Sequence, residues 1–210
     1  MSFYPELDNV SLHALLRLFG ESAPDGVEYA ASYYEEVATE ISQHRPEGLD
    51  WLLNALGYSP YPDEDGVRTR AILLAVTQTH LTGGDRFRVE YLLLHYLRDL
   101  RPLVVAEAID GLWRQNIRLE PAEVLALQGD ASPDIRASAL RYLSHIYPDE
   151  ARQRLLIALD DKDPIVRETA IDELDWLGEA EAAPSISSLL EDPNPAVREA
   201  AETAVANLAS

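Results

Sequence analysis

The 210-residue sequence contains no cysteine and only one methionine. The absence of cysteine excludes a disulfide framework, a thiolate metal site and a cysteine nucleophile. Its longest apolar run, residues 71–76, is far shorter than the ~20 residues that a membrane-spanning helix needs. The first residues show neither the basic segment nor the apolar core of a secretory signal. These absences predict a soluble, cytoplasmic protein with no membrane partner.

Basic residues are also scarce, with 17 Lys and Arg against 37 Asp and Glu and a net charge of -20. Residues 1–65 hold 13 acids and 2 bases, and residues 160–210 hold 13 acids and 3 bases. The small excess of arginine in residues 66–118 is too weak to overcome the repulsion between these acidic ends and nucleic acid. The charge therefore predicts no nucleic-acid partner and favours a protein partner, in particular a basic one.

A 31-residue repeat organises the second half of the chain. Residues 129–136, 160–167 and 191–198 share an aspartate, a proline, a β-branched aliphatic residue and an arginine in the same register. One step earlier, the aspartate and the proline recur but Val105 replaces the arginine. The predicted repeats are 99–129, 130–160, 161–191 and a partial copy at 192–210, preceded by an irregular helical half, 1–98, that continues the same architecture.

Each repeat predicts two antiparallel helices. The residue before each of three repeated prolines is an N-cap type, and proline is tolerated at the first helical position, so helix A begins there. Apolar residues then follow at steps of four, and a second, shorter periodicity predicts helix B. The first copy differs because Arg101 cannot cap. Stacked pairs of this kind form an all-α right-handed α-solenoid. The predicted N-caps are Ser132, Asp163 and Asn194.

One run of the sequence resembles a known repeat family. The pattern Asp163-Pro-Ile-Val-Arg167, with Ala170, Leu174 and Asp192, is similar to the short HEAT-like repeat of phycobilin-lyase-type proteins. The resemblance covers about residues 99–210. It implies an α-solenoid that serves as a binding scaffold, and by family analogy it leaves a lyase-like enzyme open, although no residue marks a chromophore site.

The first hundred residues show helical periodicity in less regular units. The loop 57–66, rich in tyrosine, proline and acids, is interpreted as a solvated connector, with an aromatic anchor or a calcium loop as alternatives. Helices are predicted near residues 9–19, with Gly20 following the helix, and near 27–43, 47–56, 67–81 and 86–100.

The sequence contains no recognisable catalytic or metal-binding motif. No histidine is followed by glutamate, and no two histidines lie four residues apart, so a two-histidine zinc helix is absent. Only His80 and His95 are placed to approach each other, across a helical hairpin. We therefore predict no metal and no cofactor, and we favour a protein that is not an enzyme. The five histidines are His13, His44, His80, His95 and His145.

The repeated aspartates and arginines allow two interpretations. In the first, these residues bind charged groups of a partner. In the second, they form ion pairs within and between repeats, which we call a structural ladder. Their regular placement at helix starts favours the ladder. The ladder residues are Asp130, Arg136, Asp161, Arg167, Asp192 and Arg198.

If the B helices form an inner face, as in HEAT relatives, their charged residues are the candidate partner contacts. Those candidates are Arg86, Arg88, Glu123, Arg152 and Arg154. The favoured function is a non-enzymatic protein-binding scaffold. The first alternative is an acidic inhibitor or immunity-type protein that neutralises a basic enzyme or DNA-binding protein, and the second is the lyase-like enzyme. The sequence does not determine the oligomeric state.

Overall fold

A computed structural model describes residues 4–24, 29–58, 63–79 and 81–208. Within these ranges the chain forms twelve α-helices and three short 3-10 helices, and no strand is present. The all-α prediction is confirmed. The α-helices are α1 (Leu12–Gly20), α2 (Ala30–Gln43), α3 (Glu47–Gly57), α4 (Val67–Thr77), α5 (Gly83–Tyr96), α6 (Pro102–Arg114), α7 (Pro121–Leu127), α8 (Pro133–Ile146), α9 (Pro148–Ala158), α10 (Pro164–Trp176), α11 (Ala183–Ser187) and α12 (Pro195–Leu208).

The chain divides into two compact units, residues 1–117 and 118–210. In the first unit α4 packs between α2 and α6, while α3 and α5 contact these helices as a second set. The middle of α4 is buried on nearly all sides, including Leu73 and Ala75, because helices surround it. The unit thus has one apolar core centred on α4.

The second unit repeats one helical hairpin. Helix α10 packs between α8 and α12, whereas α7, α9 and α11 contact them as the shorter B helices. The three A helices each begin at a repeated proline. The equivalent alanines of these helices are fully buried. Because their side chains are small, neighbouring helices approach closely there. These alanines are Ala139, Ala170 and Ala201.

Two of the three predicted N-caps are confirmed. Asp163 accepts a hydrogen bond from the backbone N–H of Ile165 at 3.0 Å, and Asn194 accepts one from the N–H of Ala196 at 2.9 Å. Ser132 is also the N-cap residue of α8, but its side chain makes no capping hydrogen bond. Its hydroxyl lies 3.4 Å from the Asp134 carboxylate and donates to that group instead of accepting from the backbone.

Several helix ends differ from the sequence predictions. Helix α4 ends at Thr77 rather than near residue 81. The side-chain amide of Gln115 donates to the backbone carbonyl oxygens of Thr77 and Thr79, at 2.8 and 2.9 Å, so these oxygens do not continue the helical hydrogen bonding. Gly20 is the last residue of α1 rather than the one after it. His80, residues 25–28 and the loop residues 59–62 lie outside the described ranges. No helix of the described ranges is long and apolar enough to cross a membrane.

Candidate interaction surfaces

The repeated arginines and aspartates join consecutive repeats of the second unit. Arg136 donates to the carboxylate of Asp161 through Nη2 at 2.7 Å and through Nε at 3.0 Å. One repeat later, Arg167 contacts Asp192 in the same way, at 2.8 and 2.9 Å. The side chain of Arg136 is only 7% exposed. These arginines are therefore held inside the repeat stack.

The same arginines also bind their own repeats. Nη1 of Arg136 donates to the backbone carbonyl of Asp130 at 2.9 Å, and Nη1 of Arg167 donates to that of Asp161 at 2.8 Å. Arg198 makes the equivalent bond to the carbonyl of Asp192 at 2.6 Å. Each guanidinium thus fixes the turn that precedes its helix.

Each repeated aspartate also folds the turn after it. Its carboxylate accepts from the backbone N–H two residues later, which is an Asx turn. The bond occurs in all four copies, at Asp99 (2.9 Å), Asp130 (2.8 Å), Asp161 (2.9 Å) and Asp192 (2.8 Å). In the first copy the aspartate pairs with Arg101 of its own turn, at 2.8 Å. The aspartate therefore accounts for the regular start of every A helix.

These contacts lower the pKa of three of the aspartates. Hydrogen bonds from Arg101 lower the pKa of Asp99, and those from Arg167 lower the pKa of Asp192. Burial opposes the effect at Asp161, but the hydrogen bonds from Arg136 and from the backbone of Asp163 still bring its pKa below the ordinary value. The carboxylates remain ionised because their partners favour the charged form.

Two of the predicted partner contacts, Arg86 and Arg88, form a hydrogen bond and an ion pair within the fold. Arg86 donates through Nη1 to the carbonyl oxygen of Gln115 at 3.0 Å. Arg88 donates through Nη1 to Asp50 at 2.7 Å. Both arginines anchor α5 to its neighbours.

Aromatic side chains on the outer face of α5 are exposed instead. Phe87 and Tyr91 are each 72% exposed, and Leu94 is 39% exposed, whereas Val89 and Leu93 on the opposite face are buried. The three exposed residues follow one another at steps of four and three, so they form a continuous stripe. Sequence reasoning missed this stripe, although a second apolar periodicity beside the core positions of the same helix was visible.

Arg98 lies in the turn two residues beyond the end of α5 and is exposed. In the part of the chain that the structure describes, its side chain has neither an ion pair nor a hydrogen bond. We call Phe87, Tyr91, Leu94 and Arg98 the α5 stripe.

The other predicted contacts lie in the second unit. Glu123 is exposed on α7. Arg152 pairs with Glu179 at 3.1 Å and also contacts Glu181. Arg154 is exposed, and no partner for its guanidinium is found among the described residues. Of the four predicted arginines, Arg154 is thus the one left without a contact inside the fold.

Arg154 lies at a cavity of about 600 Å³ between two consecutive hairpins. The amide Nε2 of Gln128, which also lines the cavity, is buried and has no hydrogen-bond partner in the described part of the chain. The cavity combines apolar walls with the exposed guanidinium of Arg154, and the Gln128 amide lies beside it with Nε2 closed to solvent. Its lining residues are Leu125, Gln128, Gly129, Arg136, Leu140, Arg154, Ile157, Ala158, Asp160, Asp161 and Val166.

A cluster of carboxylates lies on α10. Burial, followed by the charges of Glu168 and Asp175, raises the pKa of Asp172 to about 6. The neighbouring Trp176 is 60% exposed and its ring centroid lies 4.2 Å from that of His145. The cluster therefore carries negative charge that its own surroundings do not fully neutralise.

No group of three or more histidine, aspartate or glutamate side chains in the described ranges is arranged to hold a metal ion. The predicted approach of His80 to His95 lies outside the described residues.

Residues 121–206 match a family model described as HEAT repeats. This region carries HEAT-like repeats. A solved structure of a designed armadillo repeat protein, YIII(Dq.V1)4CPAF in complex with peptide (KR)4, is similar with a TM-score of 0.51 and 16% identity, over 95% of this chain and 100% of that chain. A second designed armadillo repeat protein, YIII(Dq)4CqI, has a TM-score of 0.43 and 17% identity, over 94% of this chain and 100% of that chain. No curated protein matches the sequence.

The HEAT-repeat match lies within the region where the sequence shows the 31-residue repeat. The first of the two structural likenesses, at 16% identity, concerns the fold alone. Together with the all-helical hairpins, these findings confirm the predicted α-solenoid class.

Proposed function

We propose that this protein is a non-enzymatic protein-binding scaffold and that the α5 stripe docks an amphipathic helix of a partner. The observation that carries the proposal is the exposure of Phe87 and Tyr91, each 72%, on one helical face. Adjacent exposed aromatic side chains are characteristic of protein interfaces, where they supply most of the binding free energy.

The stripe offers enough apolar surface for a specific contact. Burying an aromatic side chain of this kind contributes about 2 kcal/mol. Phe87 and Tyr91 therefore form a two-residue anchor, with Leu94 extending it along the helix. Because Arg86 and Arg88 attach α5 to its neighbours, the stripe is already ordered before binding, which lowers the entropic cost of docking.

The geometry also supports a particular kind of partner. From Phe87 to Leu94 the stripe extends about 10 Å along the axis of α5, which equals two turns of a partner helix, and Arg98 follows beyond the end of α5. Such a helix presents apolar residues at steps of three and four. Since the exposed guanidinium of Arg98 ends the stripe, we expect the partner to place a carboxylate there.

A display selection tests the proposal. Helical peptides are selected from a random library against the full chain, and their affinities are measured by fluorescence anisotropy. We expect the Phe87→Ser and Tyr91→Ser variants to bind at least 20-fold more weakly, because each change removes an anchor. The Arg98→Glu variant is expected to lose binding and to regain it when the peptide's acidic residue becomes lysine.

Glu199→Ser, at an exposed position on α12, is the matched control and should bind as the unchanged protein does. Selected peptides that bind equally well to Tyr91→Ser would show that docking occurs elsewhere.

The charge distribution supports a second candidate, an acidic protein that neutralises a basic partner. Residues 118–210 contain 19 Asp and Glu but only 8 Lys and Arg, and Arg136, Arg152 and Arg167 are held in ion pairs. Burial raises the pKa of Asp172 and the charges of Glu168 and Asp175 add to it, so a cation at this cluster on α10 would relieve part of the repulsion. The structurally similar armadillo protein was solved with the basic peptide (KR)4.

The same peptide is a suitable probe. We expect (KR)4 to bind at low salt, and we expect its affinity to fall steeply between ~50 and ~200 mM salt as screening increases. The Asp172→Asn variant should bind more weakly, whereas Asp130→Asn should not. An affinity that does not change with salt would contradict this candidate.

A further inference from the structure

The repeat beside the cavity departs from its own pattern at two positions. In the 31-residue register, Gln128 aligns with Leu97, Leu159 and Leu190. It is the one polar residue in a column of leucines.

The second departure is Ala158. It aligns with Tyr96, Leu127 and Leu189, so a small side chain occupies a column of large ones. Both departures line the same cavity of about 600 Å³. The space therefore arises from two substitutions that act together, one that opens it and one that makes it polar.

The polar substitution is unfavourable for the isolated fold. A buried donor without a partner costs about 1–3 kcal/mol. Leucine at the equivalent position in the next repeat, Leu159, is only 4% exposed and has no such cost. The amide of Gln128 thus destabilises this repeat. Because Nε2 is closed to solvent in this structure, the side chain turns into the cavity when a ligand accepts its hydrogen bond, and this free energy is then recovered.

The remaining lining residues describe the ligand. Leu125, Leu140 and Val166 supply apolar walls, and Ile157, 63% exposed, lies at the opening. Arg136 and Asp161 neutralise each other.

Arg154 is a second donor at this cavity and Asp160 is an acceptor, so the cavity carries no net charge. A volume of this size lies within the range of small-ligand sites, roughly 300–1,000 Å³. A neutral group with an apolar side chain and an amide backbone matches the apolar walls, the donors and the acceptor, and the absence of net charge.

We infer that this cavity binds one apolar side chain of a peptide segment together with the adjoining backbone carbonyl. The carbonyl accepts from Nε2 of Gln128, Arg154 donates to the next carbonyl along the peptide, and Asp160 accepts from a peptide N–H. This site lies in the second unit and is independent of the α5 stripe, so each can be tested alone.

The probes are single acylated amino-acid amides, which carry one side chain and two amide groups. N-acetyl-leucinamide and N-acetyl-phenylalaninamide are titrated into the full-length ¹⁵N-labelled protein and followed by NMR. We expect saturable shifts confined to residues 125–129 and 154–161. N-acetyl-leucine, which is anionic, and leucinamide, which is cationic, should bind more weakly because the cavity has no net charge.

Two variants restore the residues of the neighbouring repeats. Gln128→Leu and Ala158→Leu are expected to raise the melting temperature and to weaken probe binding at least tenfold, since they remove the donor and fill the space. Glu150→Gln on the same helix is the control and should change neither value. Since the variants are expected to be more stable, lost binding cannot be attributed to unfolding.

Three results would overturn the inference. These are probes that cause no saturable shifts, probes that bind the two leucine variants as tightly as the original protein, and shifts that lie outside the cavity. A cavity occupied by water only would produce the first result together with the rise in melting temperature.

Discussion

Arg136 of one repeat and Asp161 of the next are joined by two hydrogen bonds between guanidinium and carboxylate, of 2.7 and 3.0 Å. The same carboxylate accepts from the backbone N–H of Asp163. One side chain therefore holds the turn of its own repeat and the arginine of the preceding repeat. This double role couples the local turn to the stacking of helices, which neither contact achieves alone.

Replacing Asp161 with asparagine tests this coupling. Asparagine retains the oxygen that accepts in the Asx turn but removes the charge that balances Arg136, whose side chain is 7% exposed. A partly buried cation left without its partner costs about 2–3 kcal/mol. We expect the free energy of unfolding, measured in urea, to fall by this amount.

Asp130→Asn is the matched control. Asp130 makes the same Asx turn at 2.8 Å, but the arginine of the preceding copy is replaced by Val105. Its stability should change by less than about 0.5 kcal/mol. Equal losses in the two variants would show that the turn, not the ion pair, carries the stabilisation.

The sequence predicted the aspartate and arginine columns but not which members pair. Arg136 has aspartates in its own repeat as well, at positions 130 and 134, and only the stacking of hairpins brings Asp161 to it. The α5 stripe was missed for a related reason. Helix α5 carries two apolar stripes, and the packing of α6 and α3 decides which one is buried. The irregular first unit offered no repeat register to resolve this.

The ladder predicts acid sensitivity. The pKa values of Asp99, Asp161 and Asp192 are lowered in the folded protein. The unfolded chain takes up protons near the ordinary pKa of ~3.9, whereas the folded chain does so only at lower pH. The stabilisation is therefore complete above that pH and is lost as the pH falls through the folded values.

Thermal unfolding between pH 5 and pH 2.5 measures this loss. We expect the melting temperature to fall less steeply in Asp161→Asn than in the original protein, because that variant has one ladder carboxylate fewer to protonate. Parallel curves for the two proteins would contradict the assignment.

The contribution of Asp172 to stability changes with pH in the opposite direction. Its pKa is raised to about 6, so the folded chain binds a proton that the unfolded chain does not bind between about pH 6 and pH 4. Its contribution to stability therefore increases as the pH falls from 7 to 5. Asp172→Asn should stabilise the protein at pH 7.5 by about 1 kcal/mol or less, because solvent screens the exposed part of this side chain, and should have a clearly smaller effect at pH 4.5, which lies near the ordinary pKa of the unfolded chain. Urea unfolding at the two pH values measures the difference, and a variant less stable at pH 7.5 would refute it.

The α5 stripe predicts a contrast between two faces of one helix. Phe87 and Tyr91 are largely exposed, so changing either to serine should alter the unfolding free energy by less than about 0.5 kcal/mol. Val89 lies on the buried face and is 1% exposed. Its replacement by alanine should lower the free energy of unfolding by about 2–4 kcal/mol. Calorimetry of the three variants separates surface from core.

The contrast also bears on function. If Tyr91→Ser destabilises the protein as much as Val89→Ala does, the tyrosine is part of the core and the docking surface does not exist. If stability is unchanged while binding of an apolar dye such as ANS decreases, the side chain presents free apolar surface to solvent. A protein keeps two adjacent aromatic rings in water at a cost in solubility, and contact with a partner supplies the compensating burial.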